Sequence, residues 1–344
     1  MQPANMYKAG IFALVIVMLF ISGWEYYWRS EKMPISFNDD ASLWVNSRRQ
    51  VYQPADKATV FIGSSRIKFD LDIPEWEKFT GEKAVQLAIV GTNPVPVLQD
   101  LANDKNFKGK LVIDVTEPLF FSQNPGNYES ANDGIDLYKK QTPSQRFSSN
   151  INYFLEDKFV FLEENKFAVN ALLADLQLPD RKGVFSEPVF PKTFEVTNYN
   201  RQTYMTDAFL KDPAQIKRQT DIWTFFAKAF KAKPMSGDTL RNYLEEIKTS
   251  IDKIKSRGGK VVFVRTPASG PMEAGTKQGY PRNAYWERIL EETGSPGIHY
   301  EDDPTTANFI CPEWSHLSPS DAILYTRSLI ATLKGMGWFT PNTN

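Results

Sequence analysis

Short apolar segments recur along the chain, and each is followed by a glycine or a threonine. They are Ala58–Ile62, Ala84–Val90, Lys110–Val115 and Lys260–Arg265. Continuous apolar runs of this length are typical of strands buried on both faces of a sheet. Ile298–Tyr300 is a candidate for a fifth strand. The segments therefore predict a sheet that is covered on both sides.

Helical patterns lie between and after these segments. Val95–Asn103 and Pro319–Leu333 carry apolar residues at helical spacing, and Leu240–Arg257 does so before the glycine pair that precedes the fourth strand. A shorter helix is predicted at Leu43–Val51. Alternating strands and helices indicate a parallel sheet. The predicted fold class is α/β, a three-layer α/β/α domain.

The alternation stops between residues 117 and 237, where Phe, Asn, Lys and Pro are frequent. Helix-like stretches are found there at Tyr153–Leu176 and Asp207–Ala232. We therefore divide the body into an α/β domain and an inserted, mostly helical cap. The α/β domain is predicted at residues 58–116 and 238–340, and the cap at residues 117–237.

An uncharged apolar run, Ala9–Trp24, precedes this body. Residues 9–28 are long enough to cross a membrane, and the aromatic residues at their end are typical of the interface. We predict a transmembrane anchor at 9–28, after an N-terminal tail (1–8) and before a linker (29–57). A cleaved signal peptide is one alternative, but Ser22–Glu25 makes a poor cleavage site. A buried core helix is the other, but it would normally show a polar face, and this run has none. The Lys/Arg residues that flank the run do not determine its orientation.

The composition excludes several functional classes. The chain has 344 residues, with 40 Lys+Arg against 41 Asp+Glu, and this balance argues against nucleic-acid binding. The single cysteine, Cys311, and the two histidines argue against a metal centre, so no metal and no cofactor is expected. We interpret Cys311 as a small buried residue and His299 as structural.

Residues suited to acyl transfer lie at the predicted strand ends, where ligands bind in parallel sheets. Ser65 follows the first strand in a turn of small residues. Glu313 and His316 are three positions apart, shortly before the last helix. A serine nucleophile needs a histidine base, an acid that orients the base, and N–H donors for the oxyanion. Ser65, His316 and Glu313 are the candidate catalytic residues, with Ser64 the less favoured nucleophile.

This set of motifs resembles the SGNH (GDSL-type) hydrolase superfamily. Gly63-Ser64-Ser65 corresponds to its first block, Gly91 to its second, and Glu313-Trp314-Ser315-His316 to its last. The serine at 64, the anchor and the insertion are most similar to the DltD/AlgJ-type branch. Members of that branch work outside the membrane beside a membrane-bound O-acyltransferase of the MBOAT class. The resemblance covers residues 58–116 and 238–335, and it implies an SGNH-like, flavodoxin-like fold.

The resemblance implies an oxyanion hole built from the amides of Ser65 and Gly91. The superfamily's third block supplies an Asn, and this chain has Thr116 at the corresponding point. The Thr116 hydroxyl or the Asn93 side chain are the candidate replacements.

Two arginines at strand ends, Arg66 and Arg265, are candidates for binding an anionic substrate. The alternative for each is an ion pair at the sheet edge.

The resemblance leads us to expect a single-pass protein of the inner membrane with an extracytoplasmic (periplasmic) serine acyltransferase or esterase domain. Its reaction would be O-acetylation of an exported glycan, with an MBOAT protein as partner. Two alternatives stay open. One is a non-catalytic glycan-binding or scaffolding accessory of the acyltransferase complex. The other is a lipase or thioesterase at the membrane surface.

Overall fold

The computed structural model describes residues 3–54, 57–174, 176, 188–229 and 233–339. The predicted α/β class with a parallel sheet is confirmed, because one parallel five-stranded sheet forms the centre of the body. The strands are β1 (Ala58–Ile62), β2 (Lys83–Gln86), β3 (Lys110–Asp114), β4 (Glu195–Thr197), β5 (Thr203–Met205), β6 (Lys260–Arg265) and β7 (Gly297–His299).

Helices make up most of the remaining structure. The first eight are α1 (Pro3–Ser30), α2 (Ala41–Arg48), α3 (Ser65–Asp70), α4 (Ile73–Thr80), α5 (Val95–Asn103), α6 (Glu117–Phe120), α7 (Gly126–Lys140) and α8 (Pro143–Glu156). The others are α9 (Glu164–Phe167), α10 (Val169–Ala174), α11 (Asp207–Leu210), α12 (Pro213–Ala229), α13 (Gly237–Lys255), α14 (Gly270–Gly279), α15 (Arg282–Thr293) and α16 (Pro319–Gly335). Short 3₁₀ turns occupy Arg49–Tyr52, Val160–Leu162 and Tyr300–Asp302.

The strand order in the sheet is β2-β1-β3-β6-β7. Strands β4 and β5 form a separate antiparallel pair. When the five strands of the parallel sheet are numbered in chain order without this pair, their order is the 2-1-3-4-5 arrangement of doubly wound sheets. In the centre, Val60 of β1 pairs with Leu111 of β3, and Leu111 pairs with Val261 of β6. This topology brings the carboxyl ends of all five strands to the same edge, which is where such folds bind ligands.

Successive strand residues point to opposite faces, and this divides the core into two. Val60 and Ile62 pack with α5, α13 and α15 on one side. Phe61, between them, packs with α4 and α16 on the other. Apolar residues on both faces explain why the strands appear in the sequence as uninterrupted apolar runs.

The inserted segment is mostly helical as far as it is described, from α6 to α12, and it also carries the β4–β5 hairpin. Its helix α7 belongs to the core of the α/β domain, because Ala131 and Ile135 pack there with Trp44 of α2. Gly134 allows this packing, since a Cβ at that position would lie 2.9 Å from the Trp44 ring. The insertion therefore continues the core before it extends beyond the sheet.

Helix α1 is a candidate membrane-spanning helix. Its segment Met6–Ser30 reaches a mean hydropathy of 2.0, and the apolar stretch with this hydropathy is not buried inside the protein. Among the described residues, α1 is the only helix that is long and apolar enough to cross a membrane. The predicted anchor at 9–28 lies within it.

Several predicted bounds differ from the observed ones. Strand β2 ends at Gln86 rather than at Val90, although the N–H groups of Leu87 and Ile89 still donate to the carbonyls of Phe61 and Gly63. The stretch predicted as helical over Tyr153–Leu176 is broken after α8 into the 3₁₀ turn, α9 and α10. The predicted ends at Ala232 and residue 340 lie outside the described residues.

We predict that Gly63→Ala destabilises the protein. Gly63 follows β1, and a Cβ there would lie 2.6 Å from Asp114 Cβ and 2.7 Å from Ile67 Cγ2. Neither atom belongs to the far end of a flexible side chain, so the free energy of unfolding should fall by about 1–3 kcal/mol. Urea unfolding of the detergent-solubilised chain measures this change.

Gly275→Ala is the matched control, because a Cβ at Gly275 in α14 meets no atom within 4 Å. Alanine is the better helix former, so this variant should gain roughly 0.5–1 kcal/mol. Equal stability of the wild type and Gly63→Ala would contradict the packing described for Gly63.

Candidate functional site

The two serines after β1 have different environments. Ser64 is buried, and its hydroxyl donates to Thr116 Oγ1 at 2.8 Å. Ser65 begins α3, and it is partly exposed although the other residues of this helix are buried. Its hydroxyl makes no hydrogen bond to any residue that the structure describes. Ser65 is therefore the serine with a free, accessible hydroxyl.

Glu313 is fully buried and lies at the centre of a hydrogen-bonded loop. Its Oε1 accepts the backbone N–H groups of Ser315 (3.2 Å) and His316 (2.6 Å), and it lies 3.0 Å from His316 Nδ1. Its Oε2 accepts the indole N–H of Trp223. Burial alone would raise the pKa of Glu313, but attraction to His316 and these hydrogen bonds hold the pKa below its ordinary value. The carboxylate is thus ionised at neutral pH.

The imidazole of His316 has one nitrogen engaged and one free. Nδ1 faces Glu313, while Nε2 is buried without a hydrogen-bond partner among the described residues. A histidine held in this way by a carboxylate has the orientation of a general base. The arrangement leaves Nε2 available for a proton from a neighbouring hydroxyl.

The His316 loop is fastened to α3, the helix that begins with Ser65. The imidazole stacks on Phe69 with ring centroids 4.1 Å apart, and the next backbone N–H, of Leu317, donates to Asp70 Oδ1 at 2.9 Å. Phe69 lies four residues after Ser65 on the same helix face. The stacking holds His316 against α3, and no hydrogen bond joins it to Ser65 in the described structure.

Two backbone amides lie at the same sheet edge. Beyond β2 the chain continues beside β1, and Ile89 N–H donates to the Gly63 carbonyl at 3.2 Å. Ser65 lies two residues after Gly63, and Gly91 lies two residues after Ile89. Within the described part of the chain, neither amide donates a hydrogen bond. Gly91 is exposed and has a φ of 65°, which favours glycine.

The Thr116 hydroxyl belongs to a buried chain of hydrogen bonds. Its oxygen accepts from Ser64, and it donates to Asp114 Oδ2 at 2.9 Å. A hydroxyl has one proton, so this bond leaves Thr116 no donor for an oxyanion.

The Asn93 amide is engaged in a different place. It is fully buried, and its Nδ2 contacts the Phe120 carbonyl (2.8 Å) and the hydroxyls of Tyr243 (2.9 Å) and Tyr128 (3.1 Å). Its Oδ1 accepts the Val95 N–H at the start of α5. Both N–H groups of the amide are therefore used in holding α5, α6, α7 and α13 together.

The two arginines are inside the protein. Arg265 donates to Glu117 Oε1 at 2.6 Å, and although burial opposes its charge, this partner keeps its pKa raised. Arg66 is buried with Nε and Nη1 unpartnered among the described residues. Burial and the nearby charge of Arg265 lower the pKa of Arg66. Neither guanidinium faces solvent, which favours the ion-pair alternative for Arg265.

His299 and Cys311 occupy packed positions. His299 stacks on Tyr300, its Nδ1 accepts the Glu301 N–H, and burial lowers its pKa to about 3. Cys311 is buried, and burial raises the pKa of its thiol well above the ordinary value. Both are therefore uncharged at neutral pH.

Aromatic residues of the insertion complete the surroundings of His316. Phe194 and Trp223 each have ring centroids 6.2 Å from its imidazole. The sequence shows only that the insertion is rich in Phe, and it does not indicate which aromatic residue reaches the site. Trp223 could not be identified from the sequence, because it contacts Glu313 across a separation of 90 residues.

No family model matches the chain, and no curated protein matches it.

We predict that Trp223→Phe destabilises the protein through Glu313. Loss of the indole donor should cost roughly 1.5–3 kcal/mol at pH 7, the usual value for a hydrogen bond to a charged group. The indole N–H favours the ionised form of Glu313. The stability that it supplies is therefore present above pH 4.5, the ordinary pKa of a glutamate, and is lost as the pH falls through the lowered pKa of Glu313 in the folded protein. The deficit should shrink accordingly in urea unfolding at low pH.

Trp76→Phe is the control, since the Trp76 indole N–H is buried without a partner among the described residues. This variant changes packing only, and its deficit should not depend on pH in this way. A pH-independent deficit for Trp223→Phe would contradict the role of Trp223 as a donor to the ionised carboxylate.

Proposed function

We propose that this protein is a membrane-anchored serine acyltransferase or esterase in which Ser65 forms an acyl-enzyme. The observation that carries the proposal is the state of His316. Its Nδ1 is held by the ionised, buried Glu313, its Nε2 is free, and its ring stacks on the helix that begins with Ser65. An Nε2 without a partner is the group that such chemistry requires.

In the proposed reaction, His316 Nε2 takes the proton from Ser65 Oγ as Oγ bonds to the carbonyl carbon of an acyl donor. The amides of Ser65 and Gly91 stabilise the oxyanion. The imidazolium then gives its proton to the leaving group as the bond to that group breaks. Glu313 stays ionised throughout and stabilises the imidazolium.

A second hydroxyl completes the cycle. His316 removes its proton, its oxygen attacks the acyl carbon, and Ser65 leaves with the proton. With a sugar hydroxyl the result is an O-acylated glycan, and with water it is hydrolysis. The resemblance to the DltD/AlgJ-type branch favours O-acetylation of an exported glycan, with an MBOAT protein that supplies the acyl group.

We propose that α1 is an uncleaved anchor whose end is attached to the body. Glu25, near the end of α1, accepts the backbone N–H groups of Val160 (3.1 Å) and Phe161 (3.2 Å). A cleavage within Ser22–Glu25 would cut α1 next to this contact. The extracytoplasmic side follows from the proposed glycan substrate.

One observation favours a non-catalytic accessory as the second candidate. The side chains of Thr116 and Asn93, the candidates for the missing third-block Asn, are fully engaged elsewhere. The oxyanion hole would then consist of backbone amides alone. In this alternative the protein binds glycan or scaffolds the acyltransferase.

We expect a fluorophosphonate probe to label the detergent-solubilised full chain once, on Ser65. Oγ bonds to phosphorus and fluoride leaves, which intact-mass analysis detects. Ser65→Ala and His316→Ala should carry no adduct, and Glu313→Gln should react more slowly by up to about 10⁴-fold.

Ser64→Ala is the matched control, and it should keep the adduct because Ser64 is buried and bonded to Thr116. Folded wild-type protein that is not labelled even beside its membrane partner would contradict the acyl-enzyme. The accessory alternative also predicts that Ser65→Ala leaves glycan acylation in cells unchanged, whereas deletion of the chain abolishes it.

The proposed topology predicts that alkaline phosphatase fused after residue 32 is active, because this reporter needs disulfides that form outside the cytoplasm. A cytoplasmic reporter such as β-galactosidase at the same site should be inactive. The reverse pattern would contradict an extracytoplasmic body.

A further inference from the structure

Helix α8 turns its apolar face away from the protein. Phe147, Ile151, Phe154 and Leu155 follow helical spacing, and their exposed fractions are 68%, 47%, 64% and 37%. A helix on the surface of a soluble domain normally buries such a stripe. Here the stripe is exposed instead, and the Phe154 ring has the Lys158 ammonium 5.9 Å from its centroid.

The buried side of α8 lies opposite. Glu156 and Tyr153 are its buried residues. At about 100° per residue, Glu156 is roughly 180° around the helix from Phe147. Glu156 accepts the side-chain amide of Asn38 at 3.1 Å, so α8 is attached to the body through polar contacts. The apolar face is therefore exposed while α8 is packed against the body, and its exposure is not the result of a detached helix.

The end of α8 is joined to the end of α1. Arg29 donates to the Lys158 carbonyl at 2.6 Å and to Glu25 Oε1 at 2.6 Å. Glu25 in turn caps the N–H groups of Val160 and Phe161. This network fixes the segment that follows α8 against the last turns of the candidate membrane span.

Aromatic packing strengthens the same junction. Trp28 of α1 contacts Phe167 of α9 with ring centroids 4.7 Å apart. Beyond it, Val169 and Leu173 of α10 are exposed apolar residues, as is Phe159 between α8 and α9. Exposed apolar side chains are therefore concentrated in the part of the insertion that contacts α1.

We propose that the apolar face of α8, formed by Phe147, Ile151, Phe154 and Leu155, lies in the lipid interface beside α1. Trp24, Tyr27 and Trp28 occupy the end of α1 and are residue types that prefer the headgroup level. Because α8 is fixed to this end of α1, its apolar face is at the depth where interfacial amphipathic helices insert.

The charges and the position both favour lipid as the occupant. Arg146 is exposed beside Phe147 at the start of the α8 stripe, where it can meet anionic headgroups, whereas Lys158 beyond the other end pairs with Asp157. The inference rests on α1 as a membrane span and is independent of the chemistry of Ser65. It assigns the insertion a role in fixing the height and orientation of the body above the bilayer.

The test uses the full chain in vesicles of phosphatidylcholine and phosphatidylglycerol that contain a lipid spin-labelled near the headgroup. Bimane is attached to Ile151→Cys, Phe154→Cys and the control Gln145→Cys, which lies on the other side of α8. The native Cys311 is buried and does not compete for the label. We expect the lipid label to quench positions 151 and 154 at least twofold more than position 145.

Extraction of the vesicles with alkaline carbonate separates the two possible failures. A chain that is extracted would overturn both the span and the lipid contact. A chain that stays inserted, with equal quenching at all three positions, would overturn the lipid contact alone. The lipid contact would also be overturned if the labels at 151 and 154 were shielded only in native membranes and could be crosslinked there to another protein. That result would assign the apolar face to a protein partner.

Discussion

The burial of α3 is the constraint on which the other parts of the site depend. Lys68 is almost fully enclosed, and its ammonium pairs with Asp39. The same carboxylate accepts from Arg201 Nε at 2.6 Å. Burial would raise the pKa of Asp39, but the two cations outweigh burial and keep the pKa below its ordinary value. Removing one member would leave an unpaired charge inside the protein, so the network holds the linker, α3 and the β4–β5 hairpin in one arrangement.

This fixed helix brings together groups that are far apart in the sequence. Ser65 begins α3, Phe69 stacks on His316, and the insertion supplies Trp223 to the Glu313 carboxylate. Each contact is buried and directional, which limits the positions that the His316 imidazole can take. The insertion thus takes part in the site, and through its junction with α1 it also connects the site to the candidate membrane-spanning helix.

Patterns along the chain were sufficient for much of the fold. The strands β1 and β6 have the predicted bounds, because residues buried on both faces leave an uninterrupted apolar run. Helix α5 was predicted for a similar reason, since its apolar residues repeat at helical spacing. The insertion was less predictable. Helix α8 presents its apolar stripe outwards, and a pattern alone does not reveal which side of a helix faces the body.

The sequence by itself determined the α/β class, the apolar N-terminal helix, and Ser65, Glu313 and His316 as candidates, because periodicity and residue chemistry are local properties. Only the tertiary structure decided which polar groups are free. It engages Thr116 and Asn93 in buried hydrogen bonds and leaves His316 Nε2 without a partner among the described residues. It also joins Trp223 to Glu313. These outcomes depend on which donors and acceptors, distant in the sequence, compete for each buried polar group. Residue spacing along the chain does not reveal the result of that competition.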